Sequence, residues 1–157
     1  MPAPRPPSLL ALPSYLASYT AGYGRALIER ELATRDLKLV HNAVLIALDD
    51  FGPRSQQELS DSLRIDKSHL VKYVDTLEAR GLLRREPDAD DRRRHRVTLT
   101  PAGDKLASEL QSIGRRSQQG FLDALSAHEQ RTLVDLLARV LEDNDQRASR
   151  SDPLPRS

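Results

Sequence analysis

One stretch limits what this chain can fold into more than any other. Ser55 to Thr100 reads SQQELSDSLRIDKSHLVKYVDTLEARGLLRREPDADDRRRHRVTLT. Its punctuation predicts two short helices, then two strands joined by a charged loop. Ser55 followed by Glu58 is the S-x-x-E pattern of a capping box, in which the hydroxyl accepts from the third residue's N–H and the carboxylate accepts from the Ser N–H. Leu59 and Leu63, four apart, give this helix one apolar stripe. Arg64-Ile65 makes the turn, with Ile65 as a plug between the helices. Asp66 is a good N-cap for the second helix, whose inward stripe is Leu70, Val74 and Leu77 with Val71 flanking. Gly81 ends it where a left-handed C-cap needs a residue without Cβ.

The outward face of the second helix carries Lys67, Ser68, His69, Lys72, Tyr73 and Thr76. These are cations, donors and acceptors on a helix whose N-terminus is itself a weak positive pole. Such a helix fits the major groove, where base edges offer a donor and acceptor pattern. Leu82–Arg85 and His95–Leu99 read as short strands. Pro87 and the aspartates favour a turn between them, and Arg92, Arg93 and Arg94 stand on the return side. An extended loop with arginines near its tip can enter the minor groove, where negative potential is focused. A short helix pair or a charge run alone is an ordinary solvated feature. The joined set of helix, turn, capped helix, glycine stop and arginine-rich hairpin points to double-stranded DNA. Ser55, at the entry to the first helix, completes the candidate DNA-binding set.

The run Asp91-Arg92-Arg93 followed by Val97-Thr98-Leu99-Thr100-Pro101-Ala102-Gly103 resembles the wing signature of the MarR family of transcriptional regulators. Leu77-Glu78-Ala79-Arg80-Gly81-Leu82-Leu83 resembles the end of that family's recognition helix. The resemblance spans Leu37 to Gly103, and the flanking helices agree in length and position. It implies a winged helix-turn-helix, a homodimer with helices from both termini intertwined, and a minor-groove arginine at Arg93. It places a base- or phosphate-contacting cation at Lys72. It also implies a ligand cavity between the dimer helices and the winged helix, near Tyr19, Tyr23, Arg30 and His41. Family members respond to phenolic or other anionic aromatic compounds, among other signals. With no tryptophan, this chain lacks the one that marks the urate-responsive subgroup.

At 157 residues the chain fits one domain with a modest, aliphatic core. Its formal net charge of +1 means that DNA binding must rest on local charge. The absence of cysteine excludes disulfides, thiolate metal sites and thiol redox sensing. The apolar run near the N-terminus is too short to span a bilayer, and prolines interrupt it. We expect a cytoplasmic protein without membrane partners.

Taken in order, residues 1–7 are Pro-rich and expected to be disordered. Residues 8–36 and 101–145 form a helical dimerisation region around a winged helix-turn-helix at 37–100, and 146–157 form a disordered tail. Leu12, Leu16, Tyr19, Tyr23 and Leu27 fall at helical spacing. The tyrosines either pack at a helix interface or line a ligand cavity, since Tyr offers an apolar body and a polar tip. A helix over Leu37–Phe51 turns Val40, Val44, Ala47, Leu48 and Phe51 inward. His41 on it is either an ordinary surface or core histidine or part of a pocket. Thr100 caps the next helix with Pro101 at its first position, and Leu106, Leu110 and Ile113 mark its inward stripe. That helix is expected to run to about Leu125. Ser126 and Glu129 form another capping box, and the last helix carries Leu133, Leu136, Leu137, Val140 and Leu141 before fraying near Asp145. These leucine stripes lack partners within one chain. A second copy would bury them, and a two-fold dimer would present two recognition helices to a palindromic operator.

No G-x-S-x-G, H-E-x-x-H, P-loop or G-x-G-x-x-G motif is present. His41, His69, His95 and His128 lack metal-ligand spacing, and the acidic run Asp88–Asp91 lacks the glycine and terminal glutamate of a calcium loop. Asp91 is better placed to pair with a wing arginine and hold the loop. Neither an enzyme nor a cofactor is expected. The reading is a mainly α chain with a small β-hairpin wing: a DNA-binding repressor with a small-molecule effector. The alternatives are a repressor without an effector and a winged-helix protein-interaction module.

Overall fold

Aliphatic side chains from six segments meet at one centre. Val44, Leu45 and Leu48 of one helix pack with Leu59, with Leu70, Val74 and Leu77, and with Leu83 and Val97 of a hairpin. Leu32 and Leu110 close the cluster from the long helices on either side. Each fully buried Leu or Val contributes about 1.5–3 kcal/mol relative to exposure. The computed structural model describes residues 4–88, 91 and 93–150. Arg92 and the outermost terminal residues therefore lie outside the described residues, as do Ala89 and Asp90.

The elements are α1 (Pro7–Leu10), α2 (Pro13–Ala33), α3 (Leu39–Phe51), α4 (Gln56–Leu63), α5 (Lys67–Ala79), β1 (Leu83–Pro87), β2 (His95–Leu99), α6 (Pro101–Phe121) and α7 (Ala127–Arg150). The fold is mainly α with a two-stranded antiparallel wing. The caps are those written in the sequence. Ser55 Oγ accepts from the Glu58 N–H and Glu58 Oε2 accepts from the Ser55 N–H. Asp66 accepts from the Ser68 N–H, and Thr100 from the Gly103 N–H. Ser126 and Glu129 cap each other in the same way ahead of α7. Each such cap contributes about 1 kcal/mol.

In the turn between α4 and α5, Arg64 takes a left-handed φ of 53°. The buried Ser60 hydroxyl donates to the Ile65 carbonyl at 2.7 Å, which holds the turn in place. Gly81, at φ 69°, turns the chain from α5 into β1. The strands pair Leu83 with Leu99 through Pro87 with His95. Pro87 is tolerated because it ends the outer strand. Arg54 adds a bridge on the other side of β2, exchanging both backbone hydrogen bonds with Val97. The sequence reading did not foresee it.

A short separate turn, α1, precedes the first long helix, because Pro13 cannot donate to a helix running through it. Three expectations need correction. Phe51 is exposed rather than inward: it is the last residue of α3, and the Arg54 guanidinium covers its ring at 5.6 Å. Leu45 takes the inward place instead. Helix α6 stops at Phe121, short of Leu125, while α7 continues to Arg150, past Asp145. An Arg147–Asp143 pair and basic residues in the last turn favour that extension.

Among the described residues, no helix is long and apolar enough to cross a membrane. Within one chain α7 buries no residue, and Leu136, Leu137, Val140 and Leu141 are exposed. Leu16, Tyr19 and Tyr23 are exposed along α2, as is Leu12 just before it.

Candidate nucleic-acid interface

Burial of Leu70, Val74 and Leu77 fixes which way α5 faces. With one side against the core, Lys67, Ser68, His69, Lys72 and Thr76 are exposed on the other. Their chemistry divides them. Ser68 Oγ donates to Asp66 Oδ1 at 2.5 Å, and Thr76 Oγ1 donates back to the Lys72 carbonyl at 2.8 Å. The Ser68 bonds hold the Asp66 carboxyl below its usual range, the side-chain bond more than the backbone one. Asp66 is therefore a firm anion at the start of α5. Lys67, His69 and Lys72 carry no such side-chain bond among the described residues and project as cation or donor groups. Tyr73 is half-buried, its ring edge-on to His41 at 5.6 Å between centroids. It lies at the margin of the exposed face.

The wing sorts its arginines in the same way. Arg85 reaches back to α5, bonding Asp75 at 2.5 Å and also Glu78. It neutralises two acids on α5 and locks the hairpin to it. Arg96 pairs with Asp88 at 2.7 Å and donates to the Pro53 carbonyl at 3.2 Å. Arg84 pairs with Glu86 at 2.6 Å along the strand. Arg93 differs: its side chain is 93% exposed, and among the described residues its one ion-pair contact is a long one, 3.3 Å to Asp91. Asp91 also accepts from the Arg93 N–H at 3.0 Å, so the acid shapes the turn and leaves the guanidinium in solvent. Arg94 is exposed, with its backbone in the same turn. Ser55, half-buried, uses its hydroxyl in the capping box. That box also holds the Glu58 carboxyl below its usual range, first through the Ser55 N–H and then through its hydroxyl. Arg92 is outside the described residues.

The four residues expected around a ligand cavity do not share one. Tyr23 and Arg30 line a cleft of about 590 Å³ with Thr20, Leu27 and Phe121. Tyr19 lies against Tyr15, with ring centroids 4.5 Å apart, and beneath the Arg5 guanidinium. His41 is buried beneath α5, away from both. A larger cleft of about 680 Å³ opens between α2, α3 and α6, with Ile28, Ile46, Leu110 and Leu122 as apolar walls and Arg115 at its side. Asn42 lines it, and its Oδ1 is buried without a hydrogen-bond partner among the described residues. Nothing in the spacing of Asn42 and Arg115 along the sequence could have paired them. The described residues contain no cluster of acids or histidines that could hold a metal ion.

A family model described as the MarR family matches residues 35–94. The structure is similar to a probable transcriptional regulator from Pseudomonas aeruginosa, at 31% identity and TM-score 0.73, covering 84% of this chain and 98% of that one. It is also similar to BpsR of Bordetella bronchiseptica, described in terms of regulation of its DNA binding by 6-hydroxynicotinic acid, at 27% identity and TM-score 0.74, covering 88% and 97%. Wild-type MarR from Escherichia coli, in its apo form, matches at 26% identity and TM-score 0.71, covering 83% and 97%.

Proposed function

Because the chain belongs to the MarR family of transcriptional regulators, we propose that it is a repressor that binds a palindromic operator as a homodimer. The observation that carries this reading is that Lys67, His69 and Lys72 on α5 and Arg93 of the wing are all solvent-exposed, while the neighbouring arginines of the hairpin are held in ion pairs. Helix α5 enters the major groove, and the wing reaches the flanking minor groove. Phosphate neutralisation positions the protein, while base edges and groove width supply the sequence preference. The bare apolar faces of α2 and α7 support the dimer. A two-fold axis then sets half-sites about one DNA turn apart. The protein acts as a regulator rather than a catalyst, and its work on DNA is cytoplasmic.

A small ligand releases the operator. The regulation of BpsR DNA binding by 6-hydroxynicotinic acid supports this, and two clefts of suitable size flank α2 here. The effector binds a conformation whose recognition helices are mis-spaced, so its leverage is limited to its differential affinity for the two states, about 1–3 kcal/mol.

The test begins by selecting bound genomic fragments to obtain the operator. Affinity is then titrated against salt for the wild type, Lys72→Ala and Arg93→Ala. Lys72→Ala should lower the salt slope by about 0.9 if its contact is to phosphate. Arg93→Ala should weaken binding and relax the preference for A·T-rich flanks. Wild-type affinity and slope in both variants would remove the docking mode.

A further inference from the structure

The residue that caps the recognition helix reaches out of its own lobe. Arg80 Nη1 donates to the Asp36 carbonyl and Nη2 to the Arg35 carbonyl, each at 2.8 Å. Both carbonyls belong to the turn that ends α2, more than forty residues earlier in the chain. That turn is well defined. The Thr34 N–H donates to the Arg30 carbonyl, the Leu37 N–H donates to the Leu32 carbonyl, and Asp36 sits at φ 51°. A guanidinium fork suits two adjacent acceptors in a way that an ammonium cannot, because its donors are planar and fixed. The negative pole of a 21-residue helix adds attraction at the same point.

Tyr73 lies two helical turns before Arg80 and faces the same way. Its ring meets His41 edge-on, and His41 Nδ1 accepts from the Lys38 N–H at 3.2 Å. Helix α5 therefore holds the α2–α3 junction at two points, through Arg80 at the turn residues 35 and 36 and through Tyr73 at His41 in the first turn of α3. Helix α2 carries one of the two bare apolar faces.

We infer that Arg80 is a positioning residue for operator recognition. It transmits the placement of α2 to α5 and thereby sets the separation of the two recognition helices. The inference rests on the homodimeric DNA-binding reading above. The competing role for an exposed arginine at this end of α5 is a direct phosphate contact, and the two roles give different signatures. Loss of a phosphate contact lowers the salt slope and is restored by lysine. Loss of the fork leaves the slope unchanged and is not restored by lysine.

The experiment uses the full chain as wild type, Arg80→Met and Arg80→Lys. The absence of cysteine allows a single spin label at exposed Ser62 through Ser62→Cys. Distances between the two labels of a dimer, affinity for a selected operator across a salt series, and melting temperature are read for each protein. Both variants should broaden the label-to-label distance distribution and weaken operator binding by about 2- to 30-fold at an unchanged salt slope. Wild-type distances and affinity in Arg80→Met would overturn the inference, as would a lowered melting temperature with unchanged affinity. A slope reduced by about one and recovered by lysine would overturn it in favour of a phosphate contact. A monomeric or non-binding wild type would instead bring down the underlying reading, and this inference with it.

Discussion

His41 serves two neighbours with one imidazole. Its Nδ1 accepts from the Lys38 N–H at the start of α3, and its ring supports Tyr73 of α5. Both arrangements suit the neutral ring. Burial first, then the positive fields of Lys38 and Arg80, push its pKa below the usual histidine value, against a smaller opposing pull from Asp36. As the pH falls, the unfolded chain takes up this proton before the folded one. The stabilisation is therefore present above the ordinary value of about 6.5 and is lost as pH falls through the depressed folded value. Melting temperature should drop more between neutral and mildly acidic pH in the wild type than in His41→Gln, whose amide oxygen can still accept from Lys38. Equal drops, measured by thermal denaturation in matched buffers, would exclude the linkage. At this scale the sequence was legible wherever the partner was near. Ser55, Asp66, Thr100 and Ser126 were all readable as caps, because a cap reaches only two or three residues along the chain. The links from His41 to Tyr73 and from Arg80 to Asp36 were not readable, since only the folded chain brings those residues together.

Helix α6 meets the wing through its first turn. There Thr100 Oγ1 donates to the Gly81 carbonyl at 2.6 Å, and the Thr100 N–H donates to the Leu82 carbonyl at 3.0 Å. Gly103 sits against that same Leu82 carbonyl so closely that a Cβ would overlap it, with Leu99 Cδ2 only 3.2 Å away. The obstacle is backbone, so it cannot rotate aside. Gly103→Ala should cost about 1–3 kcal/mol or more, seen as a lower urea midpoint. The neighbouring Ala102→Ser, at an exposed position, should leave that midpoint unchanged. A wild-type midpoint in Gly103→Ala would show that α6 can shift away from the wing. The elements themselves were legible in the sequence, since apolar spacing and glycine stops mark them. The Arg54–Val97 bridge was not, because a single paired residue leaves no periodic pattern. Phe51 departs from expectation for a related reason: apolar character suggests burial, but the last position of a helix can turn a ring outward beneath a guanidinium.

Across the whole molecule, the bare faces of α2 and α7 are what the proposed dimer would cover. Leu136, Leu137, Val140 and Leu141 are already partly shielded, so covering what remains would contribute on the order of 1–2 kcal/mol each, a drive toward a second copy. By light scattering the full chain should be dimeric and a chain ending at Gly120 monomeric. A stable, monodisperse full-length monomer at micromolar concentration would contradict this. The leucine stripes announced the need for a partner in the sequence. Their register against that partner was not legible, because a stripe gives a direction and no docking depth. A lone chain would show those leucines to any apolar surface it met, so dissociating the pair should cost solubility as well as operator binding.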